Sequence, residues 1–439
     1  MRIIPPTPRF GEAFGSLRAP AFRWWFVSQA LSASGSMTQV VAQSWLLLKL
    51  TGSGVDLGLL SSCYMLPVLV GGPWAGAIAD RFDRRRLLVV TQSLFVGSAA
   101  LLAGLSWTGS VQVWMLFLIS FVTGAVSAPD AAARQVYALD LVGGRRLASA
   151  VSLNEVVLNL SRVAGPAVGG ILLATLGVAA CFLANALSFL PSLLVLLVLH
   201  RQATPAGAGP ARIAARPPRP AAGAAGVRAG LRYVWGTPVL RAAVLMAGAS
   251  GMLFNLGVGL PLLATEVFHL GGGGYGAMMA AFGAGGVAGA LAAAAQPQPS
   301  GREVRTLAAL TGLSIVATAL APDVTLVFAG MAVTGWLSIW FIARANTLAQ
   351  LCSDPAMRGR VMGIWTMALP GATPLTAPAT GVVAQAAGGR AGFGLAGIAL
   401  LLSAATGWRA LGEDGAAIAT HRVQAGTPPL VGDAPRLRP

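Results

Sequence analysis

Charge is what this sequence has least of. Only 10% of its 439 residues are charged, against roughly 25% in an ordinary soluble domain. A soluble fold of this size could not cover its surface with so few ions, which excludes a water-soluble enzyme. Lysine is nearly missing as well: all but one of the 30 basic residues are arginine, the exception being Lys49. The net charge of +16 does not make the chain a nucleic-acid binder, because that requires basic groups on one face or stripe. Cysteine is sparse. Cys63, Cys181 and Cys352 have neither disulfide nor ligand spacing and read as free packing residues. His200, His269 and His421 are equally scattered, so no metal site and no cofactor are expected. There is no Walker sequence, which argues against direct ATP driving. No Ser/His/Asp cluster supports enzyme chemistry. Gly271, Gly273 and Gly276 match G-x-G-x-x-G literally, but in a connection without βαβ context, so no dinucleotide site follows.

What the chain has in abundance is long uncharged runs. They fall at 24–48, 57–79, 87–129, 163–200, 242–265, 270–301, 306–322, 324–343, 361–389 and 391–408. One crossing of a bilayer needs roughly 20 mostly apolar residues. Run 87–129 is too long for one crossing and divides at Trp107–Ser110. Run 163–200 divides near Thr175–Gly177, its first half reaching back to about Leu147. The expectation is twelve membrane-spanning helices. The first is read as a retained helix rather than a cleaved signal. Arginines concentrate before span 1, after every even span and after span 12. The opposite connections hold mainly Lys49, Asp56, Glu266, Asp323 and Arg390. The positive-inside rule then places both termini in the cytoplasm.

Between spans 6 and 7 lies a connection, roughly 200–240, rich in Ala, Gly, Pro and Arg. It cannot form a core and is expected to be a flexible cytoplasmic tether, with a lipid-facing role for Arg228 to Arg241 as the alternative. It separates an N-terminal six-helix half (1–199) from a C-terminal one (241–410), followed by a cytoplasmic tail (411–439). The halves have the marks of repeats. At an offset of 212, Arg146 meets Arg358, Pro166 meets Pro378 and Gly169 meets Gly381; at a similar offset Thr123-Gly124 meets Thr334-Gly335, and Arg134 meets Arg344. Parallel repeats of six spans describe a known transporter plan, in which the halves rock about a midplane site.

Two motifs carry more than hydropathy. After span 2 stands Gly76-Ala77-Ile78-Ala79-Asp80-Arg81-Phe82-Asp83-Arg84-Arg85-Arg86. Gly76 permits close helix approach, and Asp80 suits a helix N-terminus across the interface between halves. Arg84 and Arg85 can pair with carboxylates or lipid phosphate. In span 5 stands Arg162-Val163-Ala164-Gly165-Pro166-Ala167-Val168-Gly169-Gly170, where proline removes a helix hydrogen bond and glycines allow bending and tight packing.

The motif after span 2 resembles the loop signature of the major facilitator superfamily, with Asp83 in place of its usual second glycine. The motif in span 5 resembles the end of the span-5 signature of that superfamily's exporters. Phe22–Trp25, Leu50–Ser53, Asp130–Gln135 and Asn154 before Arg162 resemble one branch, which contains the enterobactin exporter and the macrolide and multidrug efflux proteins. The resemblance spans roughly residues 20–410 and is stronger in the first half. It implies an all-α major facilitator fold of two six-helix bundles, in a bacterial inner membrane, exporting a small amphipathic compound against protons. It suggests that Asp80 faces the start of span 11, near Met357.

Ionisable groups inside a membrane are functional hypotheses. Glu155 and Arg162 are seven apart on span 5, on one face and about 10 Å apart. Glu155 can carry the coupling proton if desolvated, or can be a structural partner of Arg162. Asp130 and Arg134, four apart on span 4, can pair and read as gate electrostatics linked to Asp80. Gating candidates are thus Gly76, Asp80, Arg81, Arg84, Arg85, Asp130, Arg134, Gly165, Pro166, Gly169 and Gly170. The substrate cavity should be lined by spans 1, 4, 7 and 10, with Gln39, Gln43, Phe254, Asn255, Trp336 and Trp340 as candidates. The expected partners of this monomer are a small-molecule substrate, protons and membrane lipids. The competing functions are an importer or lipid flippase on the same fold, and a non-transporting sensor or assembly subunit.

Overall fold

A computed structural model of the protein describes residue 16 and residues 20–142, 147–198, 224–253, 255–296, 298–354, 357–369 and 371–412. Every regular element among the described residues is helical. The N-terminal half holds α1 (Pro20–Thr51), α2 (Gly54–Arg81), α3 (Arg84–Trp107), α4 (Val113–Val142), α5 (Leu147–Thr175) and α6 (Val178–Val198). After α7 (Ala224–Gly236) the C-terminal half holds α8 (Pro238–Leu253), α9 (Leu256–Val267, its last turn widened), α10 (Gly272–Ala295), α11 (Gly301–Ala319), α12 (Val324–Leu351), α13 (Arg358–Ala368), α14 (Thr373–Ala387) and α15 (Gly389–Gly407). Twelve crossings in two six-helix bundles result, with α8 and α9 making one broken crossing and α13 and α14 another.

Short polar residues start several helices. Ser53 caps α2 by accepting from the Asp56 amide at 3.2 Å. Asp323 caps α12 through the Leu326 amide at 2.9 Å. In α3 the cap is Asp83, whose carboxylate accepts from the Arg86 amide at 2.8 Å. The residue that departs from the loop signature therefore serves as a helix start, a role for which Asp is among the best residues.

The halves share a packing scheme. α2 lies on α4 as α10 lies on α12, and α3 on α6 as α11 on α15. Two pairs make most of the junction between the halves, α5 with α10 and α2 with α14. Small residues make the approach close. A Cβ on Gly170 would sit 2.8 Å from the Gly276 Cα, and one on Gly54 2.9 Å from the Gly381 carbonyl. Such contacts are how helices associate in lipid, where apolar burial gives no preference for protein over tails.

Two runs expected as single helices are broken. Run 242–265 is interrupted before Leu256, and run 361–389 between Ala368 and Thr373. The second break carries Pro370-Gly371 in its sequence, and proline has no N–H to give to a helix hydrogen-bond ladder. By contrast α5 continues through Pro166. Of the 200–240 connection, residues 199–223 lie outside the described residues. Its last part is not a structureless tether, because Ala224–Gly236 folds as α7.

The buried core is divided unequally. At the arginine-poor end one cluster contains residues of both halves: Val41, Trp45, Leu57, Leu116 and Leu173 with Leu256, Leu262, Tyr275, Ala377 and Phe393. At the arginine-rich end there are two separate clusters. One is built from the N-terminal half, around Trp25, Leu88 and Leu153. The other is built from the C-terminal half, around Phe341, Val361 and Trp365. The two bundles are joined at one end and parted at the other.

This division makes a prediction. In a variant lacking the native cysteines, Ala377→Cys lies buried against Gly58 inside the closed end and should resist an impermeant maleimide. Adding Gly276→Val should overpack the seam by roughly 1–3 kcal/mol and raise labelling at least several-fold. Equal labelling with and without the valine would show that this seam does not hold the end shut.

Candidate functional site

The seam between the halves is the candidate site, and it is mainly apolar where it is closed. The Trp45 and Tyr275 rings stack across it, with centroids 6.5 Å apart and planes at 16°. Leu262 reaches over Gly54. The Ser62 hydroxyl donates to the Pro374 carbonyl at 3.1 Å. Near the rim Gln385 accepts from the Ser53 hydroxyl at 3.3 Å and the Val55 amide at 3.4 Å. No ion pair between the halves is found among the described residues of this seam.

The span-5 motif works on two sides. Gly165 and Gly169 lie against α1, at Met37 and Thr38, whereas Gly170 lies against α10. Pro166 leaves the Arg162 carbonyl without its helical donor. That carbonyl faces Gly283 of α10, 2.6 Å from where a Cβ would be. The Arg162 side chain is exposed. Glu155 belongs to α5, but its side chain lies outside what is described.

At the parted end the seam is open. Among the described residues, added Cβ atoms at Gly71 and Gly72 on α2, and at Gly359 on α13, would meet nothing within 4 Å. Trp74 and Met367 are exposed. Gly76 and Asp80 belong to α2, and the Asp80 side chain lies outside what is described. Arg81 is exposed and Arg84 partly buried. The Arg85 guanidinium donates through Nε to the Leu196 carbonyl at 2.6 Å, so it ties the start of α3 to the end of α6 inside one half.

Each half carries its own charged network near this end. Asp130 is 3% exposed. One oxygen accepts from Thr91 at 2.6 Å and Gln92 at 2.9 Å, both on α3. The other accepts from Arg134 Nε at 2.9 Å and pairs with its NH2. Arg134 also donates to Gln29 of α1, whose amide reaches Ser192 of α6 at 3.4 Å. One aspartate and one arginine thereby connect α1, α3, α4 and α6. In the other half Arg344, the repeat partner of Arg134, donates to Glu303 of α11 at 2.7 Å and to the Gln296 carbonyl at 3.4 Å. Gln29, Thr91, Gln92 and Glu303 are not among the residues expected from sequence, since their roles depend on neighbours in other helices.

The cavity candidates separate. Gln39 accepts from Asn185 of α6 at 2.6 Å. Gln43 is buried and donates to Ser120 at 2.7 Å and the Leu116 carbonyl at 3.3 Å, both on α4. Asn255 starts α9 at the break and donates to Thr376 of α14 at 3.0 Å. It lines a narrow crevice with Leu253, Gly259, Thr380 and Phe393. Trp336 and Trp340 lie together on α12, centroids 5.7 Å apart. Trp336 is exposed, while the Trp340 indole nitrogen is buried without a hydrogen-bond partner. Phe254 lies outside the described residues.

The breaks leave a polar mismatch between the repeats. The Thr38 hydroxyl donates to the Gly165 carbonyl at 2.8 Å, joining α1 to α5. Its counterpart at the offset of 212 is Ser250, 1% exposed, whose hydroxyl has no partner. The equivalent helix in the second half is interrupted, and its displaced backbone puts the Leu369 carbonyl against Gly251 instead.

Comparison with known proteins places this arrangement among the major facilitator transporters. The chain belongs to the transmembrane secretion effector family of that superfamily, whose model matches residues 11–431. The multidrug efflux pump Tap of Mycolicibacterium fortuitum is 30% identical over 88% of this chain and 94% of that protein. The enterobactin exporter EntS of Citrobacter koseri is 28% identical over 79% of this chain and 81% of that protein. The staphyloferrin A transporter of Staphylococcus aureus is 30% identical over 42% of this chain and 46% of that protein. Among solved structures, a bacterial homologue of the human lysosomal transporter Spinster superposes with a TM-score of 0.68 at 14% identity, covering 90% of this chain and 96% of that one. A D-xylose–proton symporter superposes with a TM-score of 0.65 at 15% identity, covering 91% and 99%. The protein is a multi-pass membrane transporter of the efflux type and not an enzyme.

The mismatch between Thr38 and Ser250 is testable by melting the purified protein. Thr38→Ala leaves the Gly165 carbonyl with one donor fewer and should cost about 1 kcal/mol. Ser250→Ala removes a hydroxyl that has no partner, and should be neutral or stabilising. A larger loss at Ser250 than at Thr38 would contradict the asymmetry.

Proposed function

We propose that the protein exports small amphipathic organic molecules, a drug, an antibiotic or a siderophore, by proton antiport with alternating access. The observation that carries the reading is the core shared at the arginine-poor end and divided at the arginine-rich end. Under the positive-inside rule the arginine-rich end and both termini face the cytoplasm of a bacterial inner membrane. The open side is then the side on which an exporter loads its cargo. The cargo class is supported by the activities of the relatives, which include multidrug efflux and enterobactin export. The largely apolar seam, with its Trp and Tyr rings and uncharged amides, suits such cargo better than a fixed ion.

In this reading, rocking opens the Gly170–Gly276 and Gly54–Gly381 contacts and brings the cytoplasmic parts of α2 and α13 together. Asp80 then meets the N-terminus of α13, where the unpaired amides and helix dipole favour an anion. Gly76 permits the approach, and Arg81 and Arg84 flank it. Asp130 and Arg134 keep α4 aligned with α1 and α3 during the motion. Glu155 is the proton carrier: a carboxyl on a membrane helix is neutral when desolvated and ionises when water reaches it. Arg162 stands two turns further along the same helix.

The first test is accumulation of dyes, antibiotics and siderophores in an efflux-deficient bacterium expressing the protein. Lower accumulation that an uncoupler restores is expected for at least one compound. Lower accumulation that an uncoupler leaves unchanged would sink proton coupling. With a substrate in hand, Asp80→Asn should reduce flux about tenfold or more at normal membrane levels; unchanged flux removes Asp80 from the gate. Glu155→Gln should abolish transport driven by a pH gradient in vesicles while sparing substrate binding. Retained pH-driven transport moves the proton to another group.

A further inference from the structure

The short helix α7 is not part of any crossing, and its geometry points to a membrane surface. It meets α8 at 108°, so with α8 entering the bilayer α7 runs along its plane. Its two faces differ. Gly230 and Val234 are buried. Gly230 sits against Arg360 and Ile364 of α13, and the Tyr233 hydroxyl accepts from the Asp354 amide at 3.1 Å. The opposite face exposes Arg228, Leu231, Arg232 and Trp235, at spacings of three and four that put them on one stripe. Arg241 joins them, its guanidinium donating to the Trp235 carbonyl at 3.5 Å. From 224 to 241 the chain has three arginines and no carboxylate. A helix that lies across a span, exposes Leu and Trp beside Arg and lacks acids has the pattern of an interfacial helix.

We propose that α7 is an anchor that binds the headgroup phosphates of anionic phospholipid in the leaflet at the arginine-rich end. Arg228, Arg232 and Arg241 hold the phosphates, and Leu231 and Trp235 enter the acyl boundary. Guanidinium is suited to this by its planar, forked donors. Because the inner face of α7 lies on α13, an anchored α7 also restrains the first part of the broken crossing. The anchor is independent of which cargo the transporter carries.

The test uses the full chain in nanodiscs of phosphatidylcholine, with and without one third phosphatidylglycerol. Phosphatidylglycerol should slow hydrogen exchange across 228–236 and 358–364. Lipid retention in native mass spectrometry should favour phosphatidylglycerol over phosphatidylcholine. Each surface-near arginine contributes about fivefold, so Arg228→Gln/Arg232→Gln/Arg241→Gln should reduce that preference by about a hundredfold and remove the slowing. Arg23→Gln/Arg409→Gln, which alters exposed arginines elsewhere, should leave the slowing across 228–236 unchanged and lower the preference less. Replacing the same three arginines by lysine keeps the charge and should keep most of the preference. The proposal fails if the glutamine variant retains the preference, if the lysine variant loses it as completely, or if the control pair lowers it equally.

Discussion

Close approach of small residues across the two halves is the constraint on which the rest of this structure depends. Lipid tails are as apolar as leucine, so two bundles in a membrane gain little by hiding apolar surface from their surroundings. What remains is fit. At Gly170–Gly276 and at Gly54–Gly381 the backbones come so near that a side chain would not fit between them. Such a seam consists of many weak contacts, each worth about 0.1–0.2 kcal/mol, and it desolvates no charge. It holds one end together and still separates without leaving an ion buried alone, an event that costs about 3–5 kcal/mol. A transporter that must open the same seam in every cycle has reason to build it from glycine, leucine and stacked rings.

The halves are related in sequence but differ in how they are broken. Gly165 and Pro166 lie in an uninterrupted α5 packed along α1. Their counterparts lie beyond a break, and the helix opposite, α8–α9, is broken as well. The consequence is local and chemical. Thr38 has a carbonyl to bond, Ser250 has none, and Asn255 turns to Thr376 across the gap. A hydroxyl and an indole nitrogen left without partners are the kind of groups that a substrate or an alternative packing satisfies. Both, at Ser250 and Trp340, lie in the second half.

Much of this architecture is legible in the chain because membrane spans are written in length and charge. Twelve crossings, the repeat and the arginine asymmetry need only counts of apolar and basic residues. The glycine motif of span 5 is legible as a packing surface, since Gly at spacings of four has few other uses in a membrane helix. The broken crossings escape such counts, although Pro370-Gly371 marks one of them. Hydropathy is blind to a helix break when both flanks are apolar. Asp83 departs from a loop signature and proves to be a helix cap. The partners that Asp130, Arg134 and Arg344 find in other helices cannot be read from the chain. They depend on which faces of α1, α3 and α11 meet α4 and α12, and Gln29, Thr91 and Glu303 carry no local mark of that.

The placement of charge answers the placement of the seam. Among the described residues, the pairs Asp130 with Arg134 and Glu303 with Arg344 each lie within one half. A bundle whose end has lost its neighbour lacks the shared core that supports it at the other end. There, hydrogen bonds to charged groups, worth roughly 1.5–3 kcal/mol each, take over the work of cohesion. Arg134 alone reaches an aspartate on its own helix and a glutamine on α1. Because these bonds stay inside each half, parting the halves breaks none of them. Apolar contact joins the bundles where they meet, ionic contact stiffens each where it stands alone, and the two kinds of force can be exchanged through a rocking motion without conflict.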